Sequence, residues 1–177
     1  MKSVRNICIN GMGIALFVTL SMCLRVPVFE NYYLCLGYIV MAVYCYSVGV
    51  LSGTLVGVLG TVLYCFLING LRGMPGWAAG NIVIGIVLGC TFLLTKKLKN
   101  TWLETAINTV AIVVAVAIGI LVVKSCVEMV LYSQPFLVRT ANNIYAFVAD
   151  IVVLIASLPI CKLINSKKLI GQEEKRC

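Results

Sequence analysis

The sequence predicts an all-α integral membrane protein, a bundle of six transmembrane helices with both termini cytoplasmic. Three observations carry that prediction: a composition that is 62% hydrophobic and only 11% charged, uncharged intervals long enough to cross a bilayer, and an uneven distribution of the cations. A soluble domain is roughly half apolar and about a quarter charged, which places this 177-residue chain in the membrane class as a single domain, 1–177.

A membrane helix needs about 20 mostly apolar residues to cross about 30 Å of hydrocarbon, so the gaps between charges locate the spans. The interval from Asn6 to Leu24 gives a first helix at about 6–24. The 41 residues from Asn31 to Leu71 carry no charge. As one helix they would run about 60 Å, twice the hydrocarbon thickness, so they must fold back. The expected turn is Tyr46-Ser47-Val48-Gly49, which divides the interval into helices at about 33–47 and 49–69. Gly73 to Thr95 contains a fourth helix at about 77–95, and Thr105 to Val123 is the core of a fifth at about 103–131. Thr140 to Cys161, interrupted by Asp150, gives the sixth at about 141–163, and residues 164–177 form a short basic cytoplasmic tail.

Six spans put both termini on one side. That side carries Lys2, Arg5, Lys96, Lys97, Lys99, Lys162, Lys167, Lys168, Lys175 and Arg176, against Arg25, Arg72, Lys124 and Arg139 opposite. Ten cations against four make it the cytoplasmic side. The net charge of +8 is therefore a topology signal, with no basic stripe suited to nucleic acid. The apolar stretch after Lys2 and Arg5 is too long for a signal-peptide core, and no small-x-small cleavage pattern follows it.

Histidine is absent, which removes Ser/His, Cys/His and His-ligated metal chemistry, and six acidic residues leave little else for an enzyme. The expected function is not enzymatic, with no cofactor and no metal. Nine cysteines lack any C-x-x-C pair and are expected to act as small apolar packing residues. Gly49, Gly53, Gly57 and Gly60 give the third helix a smooth face for close helix packing, as Gly85 and Gly89 do for the fourth. A similar small-residue ridge, Gly11, Ala15 and Thr19, runs along the first helix and suits either internal packing or a partner subunit.

The polar and aromatic residues cluster on the outer side. The first outer loop contains Arg25, Glu30, Asn31, Tyr32 and Tyr33; the second contains Arg72 and Pro75-Gly76-Trp77, with Asn81 one turn further on; around the third lie Lys124, Glu128, Arg139, Asn142, Asn143 and Tyr145. Flat rings with amides and charges suit a polar, ring-containing small molecule. The same residues also fit interfacial ion pairs, belt aromatics and snorkelling arginines. Asp150 lies about 13 Å into the sixth helix, and a carboxylate at that depth marks either function or a satisfied structural hydrogen bond to Tyr64, Asn69 or the backbone. No G-x-x-x-x-G-K-[ST] motif is present, so energy for uphill transport must come from an ion gradient or other subunits. Nor is there an internal repeat or a pair of interrupted helices of the kind secondary transporters use.

Six short helices, the small-residue ridge on the first, the Gly-rich third and the Pro-Gly-aromatic loop before the fourth resemble the substrate-binding S component of energy-coupling factor (ECF) vitamin transporters. The resemblance covers residues 8–165 and is strongest from Tyr38 to Gly89, where Gly49-Val50-Leu51-Ser52-Gly53-Thr54-Leu55-Val56-Gly57 is similar to the family pattern G-P-L-x-G-A-L-V-G. Val50 replaces the proline, and Tyr64 and Asn69 stand where members often carry an acidic residue. The resemblance implies a micronutrient bound near the outer face of a bacterial cytoplasmic membrane protein, and partners comprising a transmembrane coupling subunit and two ATPases, which alone use ATP. It places the partner contact at Gly11, Ala15 and Thr19 and the ligand at Asn31, Tyr33, Arg72, Trp77, Asn81, Lys124, Glu128 and Asn143. Riboflavin, a folate, a pyrimidine or pyridoxine precursor, and pantothenate fit these residues equally. The alternative is a stand-alone secondary transporter or channel for a small solute, using Asp150.

Overall fold

The computed structural model describes the backbone of residues 2–23, 27–29, 32–69, 74–98 and 100–173, and the side chains of residues 4–23, 34–68, 74–98 and 100–164. Helix α1 (Lys2–Cys23) leads into a two-stranded antiparallel ribbon, β1 (Pro27–Phe29) and β2 (Tyr32–Tyr33), and then into α2 (Gly37–Ser47). Helix α3 (Val50–Tyr64) ends in a π turn, Cys65–Asn69, and α4 (Met74–Thr95) follows. One continuous rod combines α5 (Thr101–Val116), a π-helical stretch (Ala117–Lys124) and α6 (Ser125–Tyr132). Helix α7 (Phe136–Glu173) closes the bundle.

Among the described residues, five helical segments are long and apolar enough to cross a membrane: Val4–Cys23, Val50–Ile68, Met74–Thr95, Thr101–Tyr132 and Phe136–Ile164. The sixth element, α2, is shorter than the sequence suggests. Tyr32 and Tyr33 belong to the ribbon, so the helix starts at Gly37, and its 11 residues rise only about 17 Å. It sits inside the bundle, with Tyr38, Met41, Ala42 and Cys45 almost wholly buried. At the other end of the chain, α7 continues to Glu173, through much of the segment expected to be a separate tail.

Cross-helix hydrogen bonds sort the helix ends. Tyr44 donates to the Ile9 carbonyl at 2.9 Å, Lys96 to the Tyr46 carbonyl, and Lys162 to Thr105 and the Thr101 carbonyl. The start of α1, the ends of α2 and α4, the start of α5 and late α7 therefore share one end, the one to which the sequence assigns ten cations. At the opposite end α4 meets α2 and α3, α6 meets α7, and the ribbon lies against α7.

The predicted turn between the second and third helices is present, and Gly49 makes it. Its φ is +137°, in the region that favours glycine, although a Cβ there would meet nothing within 4 Å among the described residues. Conformation, not space, requires glycine at this position. Further along α3 the requirement becomes space: a Cβ on Gly53 would strike Cys45, on Gly57 Met41, and on Gly60 Phe17. Gly85 and Gly89 of α4 likewise press against Thr54 and Val50 of α3. Both glycine faces are internal packing surfaces, as their spacing implies.

The tightest crossing positions the outer half of the rod. A Cβ on Gly80 of α4 would lie 2.7 Å from the Gly119 carbonyl oxygen, and one on Gly119 would lie 2.8 Å from the Gly80 carbonyl oxygen. Backbone meets backbone, so nothing flexible can give way. Gly80→Ala is expected to cost about 1–3 kcal/mol and to lower the melting temperature of the detergent-solubilised protein by about 3–10 °C. An unchanged melting curve would mean that the two helices are not in this contact.

Outward faces are apolar throughout, with Leu51, Phe66, Leu94, Val130 and Leu137 exposed, the inverse of a soluble protein. Of the described cysteines, Cys35, Cys45, Cys65 and Cys161 are buried and Cys8, Cys23, Cys90 and Cys126 face outward, all as free thiols.

Candidate functional site

The polar residues of the outer half form two connected groups. The first is built around α6 and α7. The Asn143 amide donates to Ser125 Oγ at 3.0 Å and to Glu128 Oε2 at 3.3 Å, and Arg139 Nη1 stands 3.9 Å from the same carboxylate oxygen. Ser125, Glu128 and Asn143 are all buried. Glu128 therefore turns toward α7. The sequence also allows an ion pair with Lys124 one turn earlier; among the described residues, Asn143 donates to the Glu128 carboxylate and Arg139 stands nearest to an ion pair with it. The Arg139 guanidinium also lies 5.1 Å from the Tyr132 ring, and its Nε is buried with no partner among the described residues.

Ser133, in the left-handed region at φ 51°, ends α6, and the turn through Pro135 starts α7. This reversal folds α7 directly back on α6 and brings Asn143 beside Ser125. On the other side, Gly76 brings the first turn of α4 against α6: a Cβ there would lie 3.0 Å from Glu128 Cγ and 3.2 Å from Lys124 Cγ. Pro75 suits that first helical turn, where a backbone N–H has no partner in any case.

The second group is a chain of hydrogen bonds through α2, α3 and α4. Trp77 Nε1 donates to the Tyr38 hydroxyl at 2.7 Å, Tyr38 donates to Asn81 Oδ1 at 2.7 Å, and the Asn81 amide donates to Thr61 Oγ1 at 2.6 Å and the Gly57 carbonyl at 3.2 Å. Tyr38, Asn81 and Thr61 are completely buried. The Trp77 ring is half-buried and stands edge-on to Tyr64, with centroids 5.9 Å apart. Asp150 on α7, buried at membrane depth, lies near Tyr38 and Lys124.

Of the predicted ligand residues, the structure brings Lys124, Glu128 and Asn143 together with the start of α4, where Trp77 lies. Asn81 is one turn deeper, with both amide protons given to protein partners. Tyr33 is in β2, against α7, and its side chain lies outside the described residues, as do Asn31 and Arg72 entirely. Ser125, Tyr38 and Thr61 went unrecognised in the sequence. Ser125 stands one turn before Glu128 on the same face, a spacing that signals it; Tyr38 and Thr61 lie in apolar runs and carry no such mark. The predicted partner ridge faces outward: Gly11, Ala15 and Thr19 are exposed, and among the described residues nothing lies within 4 Å of a Cβ built on Gly11.

Comparison with known proteins agrees with this architecture. A UPF0397 protein of Streptococcus thermophilus (strain CNRZ 1066) is 26% identical over 156 residues, which span 81% of this chain and 84% of that protein. The profile of the family described as ECF-type riboflavin transporter, S component, matches residues 1–166, a stretch that includes all five membrane-crossing segments. A multi-pass helical bundle with a polar cluster in one half, matched over nearly its full length, belongs to the S-component family of ECF-type riboflavin transporters and is a substrate-binding subunit of an ECF transporter.

Proposed function

We propose that this subunit captures riboflavin at the outer face of a bacterial cytoplasmic membrane and delivers it inward as part of an ATP-driven importer. The carrying observation is the buried Glu128–Asn143–Ser125 group, with Arg139 beside its carboxylate and Gly76, the residue before Trp77, packed against Glu128. A buried carboxylate next to an amide suits the imide edge of a flavin ring, where an N–H is flanked by two carbonyls, and an indole suits its flat face. The family description supports riboflavin over the other vitamins that the residue types allow.

The chain provides binding but no energy source of its own. A transmembrane coupling subunit and two ATPases would supply the work, with the exposed Gly11, Ala15 and Thr19 ridge as the contact to the coupling subunit. ATP is used by those partners, and no cofactor is assigned to this chain. The family match favours this reading over a carrier driven through Asp150.

The test is direct. The purified full chain should quench riboflavin fluorescence on titration and retain the vitamin through detergent extraction, as identified by mass spectrometry. Uptake in cells should stop when the ATPases are removed. Uptake that survives their loss and collapses with the proton gradient would overturn the proposal, as would a protein that does not bind riboflavin.

A further inference from the structure

We infer that Tyr38 is a positioning residue, which makes no ligand contact and acts by holding the Trp77 indole in one orientation. The inference rests on the outer group being the ligand site and adds to it a buried residue from a different helix. The direction of the hydrogen-bond chain follows from its deep end. A carbonyl only accepts, so the Asn81 atom 3.2 Å from the Gly57 oxygen is the amide nitrogen. Asn81 Oδ1 must then accept, and the Tyr38 hydroxyl donates to it at 2.7 Å. The Tyr38 oxygen is left to accept the Trp77 Nε1–H, also at 2.7 Å.

Trp77 is thus held from two directions: by this hydrogen bond at its nitrogen and by the Tyr64 ring, whose plane stands at 88° to its own. Tyr38 cannot yield, since it is completely buried with Phe17 edge-on at 6.2 Å. A half-buried indole in the first turn of a helix would otherwise sample several rotamers. Stacking on a flat ring requires one plane, and the chain from Gly57 to Trp77 fixes it in advance of binding.

The experiment uses the full chain in lipid nanodiscs, riboflavin as the probe, and two readouts: fluorescence quenching for affinity and the indole N–H resonances of the ¹⁵N-labelled protein. The chain has two tryptophans, and Trp102, 87% exposed, serves as the reference for Trp77. Tyr38→Phe is expected to raise the Kd about five- to tenfold and to move the Trp77 resonance upfield while Trp102 stays in place. Trp77→Phe should weaken binding by at least as much, and adding Tyr38→Phe to it should change the Kd by less than about twofold. Independent, multiplying losses would overturn the positioning role.

Thr61→Val removes an anchor at the far end of the chain and replaces Tyr38→Phe if that variant does not fold. A shifted Trp77 resonance with about threefold weaker binding supports the inference; an unchanged resonance and Kd overturn it. If the parent does not bind riboflavin, or if Trp77→Phe and Glu128→Gln bind as the parent does, the site reading fails and the inference falls with it. If those two variants weaken binding and Tyr38→Phe does not, the inference alone is overturned.

Discussion

Glu128→Ala is expected to raise the dissociation constant for riboflavin at least tenfold, the largest loss of affinity from a single change in the outer group. The carboxylate is 5% exposed and accepts from Asn143 while Arg139 stands 3.9 Å away. A desolvated polar contact of this kind is worth on the order of 1–3 kcal/mol, and 1.4 kcal/mol is a factor of ten in affinity. The alanine would also leave Arg139, already with one buried unpartnered nitrogen, without its counter-ion. Asn143→Ala should give a smaller loss, because its amide orients the carboxylate from Ser125. Titration of riboflavin fluorescence measures both, with the melting temperature of the ligand-free protein recorded alongside to separate unfolding from lost contact. Unchanged affinity in both variants would move the ligand elsewhere.

Changing Gly11, Ala15 and Thr19 together to Leu should abolish uptake while riboflavin affinity stays within about twofold of the parent. These positions are exposed on α1, the Thr19 hydroxyl already donates to the Ala15 carbonyl at 2.8 Å, and no side chain among the described residues occupies the space beside Gly11. Leucine side chains would meet only lipid in the isolated subunit, and would obstruct a helix approaching closely in the assembled transporter. Transport assays in cells, paired with binding to the purified protein, separate the two effects. Weakened binding would place the ridge inside the subunit's own packing, and normal uptake would remove it from the partner contact.

The helices were legible because charge is costly in hydrocarbon, so uncharged intervals had to coincide with spans. The turn at Gly49 was legible from length alone, since a 41-residue interval cannot cross once. Glycine spacing on α3 and α4 likewise reported real close contacts, with Cys45, Met41, Phe17, Thr54 and Val50 filling the space a Cβ would need. The short α2 was not legible, because Tyr32, Tyr33 and Leu34 are as apolar and aromatic as the helix that follows, and hydropathy does not distinguish ribbon from helix. In the site, residue type pointed to Glu128 and Asn143, but pairing did not follow from spacing: Lys124 is the neighbour along the helix, whereas Arg139 and Asn143 are brought in by the reversal at Ser133. Tyr38 carries no signal in the sequence because a tyrosine in an apolar helix reads equally well as packing, and its meaning lies in Trp77 and Asn81, each about 40 positions away along the chain.

The π-helical stretch Ala117–Lys124 determines how this chain can be aligned with its relatives. A π turn holds one more residue than an α turn, and one residue is about 100° of rotation in an α-helix. Everything after Lys124 is therefore out of phase with a regular helix begun at Thr101: Ser125 and Glu128 face α7 only because the extra residue is there. A relative with an unbroken α-helix in this place would need a one-residue gap within 117–124 before its carboxylate could be equated with Glu128. An ungapped alignment would pair this buried group with positions turned about 100° from it, so ligand contacts transfer between members by helix phase and not by residue count.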